Sequence, residues 1–323
     1  MTKRWGVLGW GLALCLLAAP GWAGEILKFG DSYPPDHPTN IGMRKMAEVI
    51  AAKTQGKLIM EVYPNGQLGS DKDEVEGTIM GAQDMVMVGG GVLGQFSPRL
   101  GIVEAPYIWR DIDHVNKVMD GPVGDELSAE LLKGRGLRIL TNFYYGRRHL
   151  TANRAVQKPE DMKGFKLRTP QAPVILEMAK AWGANPTPLD IGELYLALKT
   201  GVVDGQENPI PTIDAFKFYE AQKFIMLTGH IITPLQVIIN ERAWRKLSPE
   251  FQKAVMDGIH EGRELNNKLL VEREDSLLEN FKKAGMTVVH PDVEAFRKAS
   301  APVKDKFDAV WGKGLYDRIV NTK

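Results

Sequence analysis

Phe165-Lys166-Leu167-Arg168-Thr169-Pro170 is the stretch on which the reading of this chain turns. It is a short strand, Phe165–Arg168, that closes on an arginine and runs into a proline. Downstream, Asp204-Gly205-Gln206-Glu207-Asn208-Pro209 sets an asparagine just past the apolar pair Val202–Val203. Upstream, Arg148 follows the expected strand Leu137–Phe143. Three polar side chains thus fall at or just beyond the carboxyl ends of strands, where open α/β sheets place their ligands. Two arginines and an amide outline a carboxylate receptor. An arginine fork meets a carboxylate through two parallel charge-assisted bonds, which a lysine cannot copy.

Strands and helices alternate outward from this centre. Ile26–Phe29 reads as an opening strand, and a helix follows from about Thr39 to Thr54, with Met43, Met46, Val49 and Ile50 on one face. Leu58–Tyr63 alternates as a strand, and Ser70 is placed to cap a helix with Asp71, Asp73 and Glu74 in its first turn. Met85–Val88 is a short apolar strand. Helices are expected over Asp113–Met119, over Gly124–Leu132 with its stop at Gly134, and from Pro173 to just before Gly183. A further helix starts at Asp190, with Glu193 at capping-box spacing, and stops at Gly201. Lys223–Leu227, Leu235–Asn240 and Met286–Val289 read as strands. The alternation implies an α/β fold with a βαβ sheet covered on both faces.

Ser248-Pro249-Glu250 starts a helix that meets no breaker before Gly285 except Gly258 and Gly262. At about 35 residues it would span roughly 50 Å, too long for one small domain. It reads as a spine across two domains, bent near Gly262. Pro291–Val320 reads as short helices wrapping back as a clasp.

Residues 1–23 stand apart. Lys3-Arg4, the apolar run Trp5–Ala19 and Gly21-Trp22-Ala23 form a secretory signal peptide, with cleavage expected near Ala23/Gly24. The apolar run is short for a membrane anchor. Cys15, the only cysteine, lies inside it, so the exported chain has no disulfide, no thiol chemistry and no cysteine-dependent zinc site. Without Lys3 and Arg4, 39 basic residues face 40 acidic ones. That balance points to neither nucleic acid nor a membrane surface as partner. A soluble two-domain chain is expected.

Enzyme motifs are missing. The sequence holds no H-E-x-x-H, no G-x-S-x-G and no acidic calcium loop. Gly89-Gly90-Gly91-Val92-Leu93-Gly94 matches G-x-G-x-x-G after a strand, but Gln95-Phe96-Ser97-Pro98 would break the required helix within a turn. The glycines are read instead as letting backbone approach a ligand or the opposite domain. Glu207 is read as holding its loop or pairing with a basic residue, and Asp190 as a helix cap. No cofactor and no metal are expected.

Glu160-Asp161-Met162-Lys163-Gly164-Phe165-Lys166-Leu167-Arg168-Thr169-Pro170 resembles the solute-binding proteins of TRAP transporters, the DctP-type family. So do Gly183-Ala184-Asn185-Pro186-Thr187-Pro188, Glu193-Leu194-Tyr195-Leu196-Ala197-Leu198 and Gly201-Val202-Val203-Asp204-Gly205-Gln206-Glu207-Asn208-Pro209. Weaker echoes are Tyr63–Gly69 and Ala105-Pro106-Tyr107. The resemblance covers essentially the whole exported chain.

It implies a periplasmic, monomeric receptor of two α/β lobes with a ligand cleft between them and a long helix spanning both. The lobes are expected at 24–145 plus 234–273 and at 146–233 plus 274–323. The ligand would be a small carboxylate, possessed of a sugar-acid character, and the partner the TRAP membrane permease. The family's key arginine falls on Arg168, its second on Arg148 and its cleft asparagine on Asn208. By comparison with sialic-acid-binding members, Gln171, His230 and Asp71 also match ligand-side positions. Gly89 stands where those members carry a glutamate, and Ile191 where they carry a bulky aromatic, so both positions argue for a different acid. A C4-dicarboxylate or 2-oxo acid receptor, a sensory receptor of the same fold, and a periplasmic enzyme acting on a carboxylate are the alternatives.

Overall fold

The computed structural model describes Thr2 and residues 24–323, so the expected signal peptide at 1–23 lies, but for Thr2, outside the described residues. Ten strands join into one continuous ladder: β1 Glu25–Gly30, β2 Leu58–Tyr63, β3 Met85–Gly89, β4 Leu137–Ala152, β5 Lys166–Thr169, β6 Asn185–Pro188, β7 Gly205–Pro209, β8 Phe224–Met226, β9 Ile232–Asn240 and β10 Thr287–Val289. The order is β2-β1-β3-β9-β4-β7-β5-β6, with β8 on β4 and β10 on β8. The ladder belongs to two lobes. β1, β2 and β3 run parallel, as do β5, β6 and β7, while β9 and β4 pair antiparallel between them. β3 and β9 are buried along nearly their whole length; β3 is an apolar run up to Gly89, while β9 also buries Thr233, Gln236 and Asn240.

β4 is the strand that joins the two lobes. Leu137–Arg147 pair with β9, and Arg148–Ala152 pair with β7 and β8. Two corrections follow for the site. Arg148 does not follow a strand that ends at Phe143 but sits inside one of 16 residues. Asn208 is not in a loop past Val202–Val203, because Gly205–Pro209 is itself the strand β7. Sequence periodicity misses both, since a ladder of charged and polar residues shows no apolar alternation. Near the end of the β9-paired region, Gly146 takes φ of 123°, and a β-carbon there would lie 2.7 Å from Pro209 Cβ. Only glycine fits that conformation and that contact together.

Most expected helices form with the expected caps. Ser70 and Asp73 complete a capping box on Asp71–Met80, and left-handed Gly81 ends it. The helix Pro122–Arg135 runs past Gly134 and stops at left-handed Gly136. Asp190 precedes Ile191–Thr200 but makes no side-chain cap bond, so its expected capping role fails. The C-terminal segment holds a 19-residue helix, Val293–Trp311, and a short one, Leu315–Asn321, in place of short helices throughout.

The long helix, Pro249–Lys283, is continuous through Gly258 and Gly262. Those glycines admit a close neighbour: a β-carbon on Gly262 would lie 2.4 Å from Met46 Cγ, and one on Gly42 would lie 2.7 Å from Gly262 O. The helix gives Val255 and Ile259 to a core with Phe29, Met43, Met46 and Ile50. It gives Leu277 and Phe281 to a separate core with Leu194, Leu198 and Phe218. Ile259 and Leu277 stand about 27 Å apart along the axis at 1.5 Å per residue. One helix therefore anchors two cores. The C-terminal segment also reaches both sides: Trp182 Nε1 donates to Ser300 Oγ, while Arg99 donates to the Trp311 carbonyl and Arg110 to those of Val320 and Thr322.

Candidate functional site

The cleft has two connected parts. An open part of about 590 Å³ is lined by Ser32, Asp71, Arg168, Gln171, Asp190 and Ile191, among others. An inner part of about 30 Å³, close to the volume of one water, is lined by Tyr33, Gly89, Glu104, Tyr145, Arg148, Asn208 and Thr233. Asp71, Arg168, Pro170 and Ile191 line both and mark the throat between them.

Arg148 and Arg168 have opposite surroundings. Arg148, 4% exposed, projects from β4 toward β7 and meets Glu207 as a fork: Nε to Oε2 at 2.5 Å and Nη2 to Oε1 at 2.7 Å. Nη2 also donates to the Glu207 carbonyl, so the free donors are the two on Nη1. Burial lowers the affinity of Arg148 for its proton, but the Glu207 carboxylate more than reverses that and pushes it above the usual arginine range. Burial would likewise raise Glu207, but Arg148 and His230 hold it at about 2. Glu207 thus pairs with a basic residue, as the sequence suggests.

Arg168, 3% exposed, has no such partner. Its Nε and Nη2 donate to the Leu189 carbonyl at 2.9 and 2.6 Å. Among the described residues it forms no salt bridge, and three of its five N–H donors are left over. Burial pulls its proton affinity down to about 10, with the Arg148 charge adding to the effect against the pull of Glu207. It remains charged at neutral pH. A buried cation with a carbonyl for its partner is a strong demand for an anion.

Asn208 lies beside this pair. Its Oδ1 accepts from the Tyr145 hydroxyl at 3.2 Å, and its Nδ2 donates to Gln206 Oε1 at 2.6 Å. At the throat, Asp71 Oδ1 accepts from Ser32 Oγ at 2.5 Å. Burial raises the Asp71 carboxyl against the lowering pull of Ser32 and Arg168. Asp190, freed from capping, accepts only a 3.5 Å bond from Gln171 Nε2. Gln171 also meets the other side of the cleft, its carbonyl accepting from Gln95 Nε2 at 2.6 Å.

Arg168, Arg148, Asn208, Asp71, Gly89 and Ile191 therefore line the inner part, and Gln171 lines the outer part. His230 does not belong with them. It is fully buried, and both ring nitrogens are taken, Nε2 by Glu207 Oε2 at 3.0 Å and Nδ1 by the Thr228 hydroxyl at 2.8 Å. It sits against Trp182 behind the Arg148–Glu207 pair. The structure corrects its expected ligand-side place to that of a support for Glu207. Residues missed at the sequence level are Glu104, Tyr33, Tyr145 and Thr233. Glu104 directly precedes Ala105-Pro106-Tyr107, which is the one signal that could have drawn attention to it. Among the described residues no cluster of His, Cys, Asp or Glu could hold a metal ion.

Residues 29–309 match the family described as bacterial extracellular solute-binding protein, family 7, or DctP. The sialic acid-binding periplasmic protein SiaP of Vibrio cholerae is 36% identical over 276 residues, which is 85% of this chain and 86% of the relative. The 2,3-diketo-L-gulonate-binding periplasmic protein YiaO of Escherichia coli is 35% identical over 297 residues, 91% of this chain and 90% of the relative. The crystal structure of a TRAP periplasmic solute-binding protein of Polaromonas bound to D-erythronate superposes with a TM-score of 0.88 at 34% identity, covering 93% of this chain and 99% of that one. These are receptors and not enzymes, and they carry the same two-lobed fold. With a family match over most of its length and relatives of this similarity, the chain belongs to the DctP family of TRAP solute-binding proteins.

Proposed function

We propose that this protein is a periplasmic receptor, released by cleavage near Ala23/Gly24, that captures a small organic acid as a monomer and hands it to a TRAP membrane permease. The observation that supports this is Arg168, a buried guanidinium at the throat of the cleft with no carboxylate partner. A ligand carboxylate supplies the missing anion, with Asn208 and the free Nη1 of Arg148 behind it.

The far end of the ligand meets different chemistry. Asp190 lines the outer part with one long bond from Gln171, and Asp71 lines the throat and the outer part with one bond from Ser32. Two carboxyls there accept from hydroxyls and repel a second carboxylate. A hydroxylated monocarboxylate of sugar-acid type fits this polarity better than a C4 dicarboxylate does. Closure would occur between lobes at 24–145 plus 234–273 and at 146–233 plus 274–323. The ligand favours the closed form because it touches both lobes only there.

Thermal unfolding of protein starting at Gly24, against uronic and aldonic acids, four-carbon diacids, 2-oxo acids and neutral sugars, tests this. Ligand at 100 times its dissociation constant adds about 2.7 kcal/mol of stability. A response to neutral sugars alone, before and after unfolding and refolding to remove carried-over ligand, would overturn the reading.

A further inference from the structure

The inner cavity holds a carboxyl that the carboxylate-binding scheme does not use. Glu104 is 3% exposed and lines the cavity together with Arg148, Arg168 and Asn208. It arrives at the end of the 3₁₀ turn Pro98–Glu104, from a different element than any of those residues. Its Oε2 accepts the Gly91 N–H at 2.9 Å, which leaves Oε1 as the oxygen available to a ligand.

The backbone around Glu104 is cleared for it. A β-carbon on Gly89 would lie 2.8 Å from Oε1, and one on Gly91 would lie 2.1 Å from Oε2. Neither glycine has a positive φ that would demand glycine for conformational reasons. They are small because the carboxyl occupies the space beside them. Beside it lies the buried Thr233 hydroxyl, whose one interaction is a poorly aligned contact with the Glu104 carboxyl itself. A buried acceptor and a hydroxyl that satisfies it only poorly, both facing one small cavity, leave room for a group that both donates and accepts. A ligand hydroxyl is such a group.

We propose that Glu104, with Thr233 beside it, reads the hydroxyl on the carbon next to the ligand carboxylate, so that this receptor selects 2-hydroxy acids. The inference rests on the carboxylate reading of Arg168. The inner cavity is far smaller than the outer part, about 30 against about 590 Å³, so only a small part of a ligand reaches into it. With the carboxylate on Arg168 at the throat, a substituent on the adjacent carbon is the one that reaches Glu104; hydroxyls further along point to Asp71 and Asp190 in the outer part. Glu104 is not a fixed anion. Burial pushes its carboxyl up to about 7, with Glu207 adding to the rise and Arg148 and the Gly91 N–H opposing it. A hydroxyl donated to Oε1 favours the ionised form.

The test is titration calorimetry of the full exported chain with four- to six-carbon aldonates, their 2-deoxy analogues and succinate. Wild-type protein should bind an aldonate about 10–100-fold more tightly than its 2-deoxy analogue, the range for a hydrogen bond to a charged group. In Glu104→Gln the amide carbonyl still accepts from Gly91, and an N–H₂ replaces the acceptor at the cavity, so that ratio should fall to within about threefold. Gly89→Ala keeps Glu104 but crowds Oε1, and should also lower the ratio. Equal wild-type affinity for both members of the pair, or a ratio unmoved in both variants, would overturn the inference. So would binding of succinate with no aldonate, although the carboxylate reading would then stand. Binding of none of these acids would remove both.

Discussion

The β4–β7 wall and the β5 wall of the cleft each bury an arginine, and the two differ in what answers the charge. On the β4–β7 wall, Arg148 is answered from within: Glu207 forks to it, His230 holds Glu207 from behind, and Thr228 holds His230. On the β5 wall, Arg168 has only the Leu189 carbonyl among the described residues. The same residue type at the same depth is paired in one place and, on the proposed reading, left open to a ligand anion in the other. Burial makes a residue costly to change, but a missing partner is what makes it a site.

The largest expected effect tests the answered arginine. Arg148→Ala leaves Glu207 ionised and buried without its fork, and should cost about 3–5 kcal/mol of stability in denaturant unfolding. The paired replacement Arg148→Met with Glu207→Leu should recover most of that loss, because it removes both charges together. A double variant as unstable as the single one would mean that the pair does more than neutralise itself.

Arg168→Ala should do the reverse. Tight binding of the acid should weaken at least 100-fold by calorimetry, while the ligand-free protein holds its stability or gains slightly, since an unpaired buried cation is removed. A loss of stability as large as that of Arg148→Ala would erase the distinction between the two walls. Arg168→Lys keeps the charge but not the fork, so binding should fall by an intermediate amount, about 30-fold or about 2 kcal/mol.

Glu74 sharpens the comparison with the smallest effect on ligand binding. It is fully buried, neither carboxyl oxygen has a hydrogen-bond partner, and it lines neither part of the cleft. Burial raises it to about 10, with the Asp71, Asp31 and Asp73 charges adding. Because its folded value lies above the unfolded one, its contribution is fully present below about pH 4.5 and is lost progressively as the pH rises toward 10. Glu74→Gln removes that dependence. Its gain over wild type should be near zero at pH 4 and grow steadily as the pH rises from about 4.5 to 8 in denaturant titrations. Ligand affinity should not change, which separates an unpartnered buried carboxyl outside the cleft from the unpartnered charge inside it.

Much of this molecule is legible in one dimension because local rules fix it. The capped helix at Ser70, the strand Leu58–Tyr63 and the 35-residue helix from Pro249 follow from caps, alternation and the absence of breakers. Family resemblance carries the positions of Arg168, Arg148 and Asn208, and the structure brings all three to one cavity. Tertiary structure alone decided what each does. That Glu207 forks to Arg148, that His230 stands behind it, that Asp190 leaves its cap, and that Glu104 fills the space beside Gly89 and Gly91 are contacts between residues far apart in the chain. The sequence states which charges exist. Which of them is left without a partner depends on how the lobes pack, because a charge is neutralised by what lies a few ångströms away and not by its neighbours along the chain.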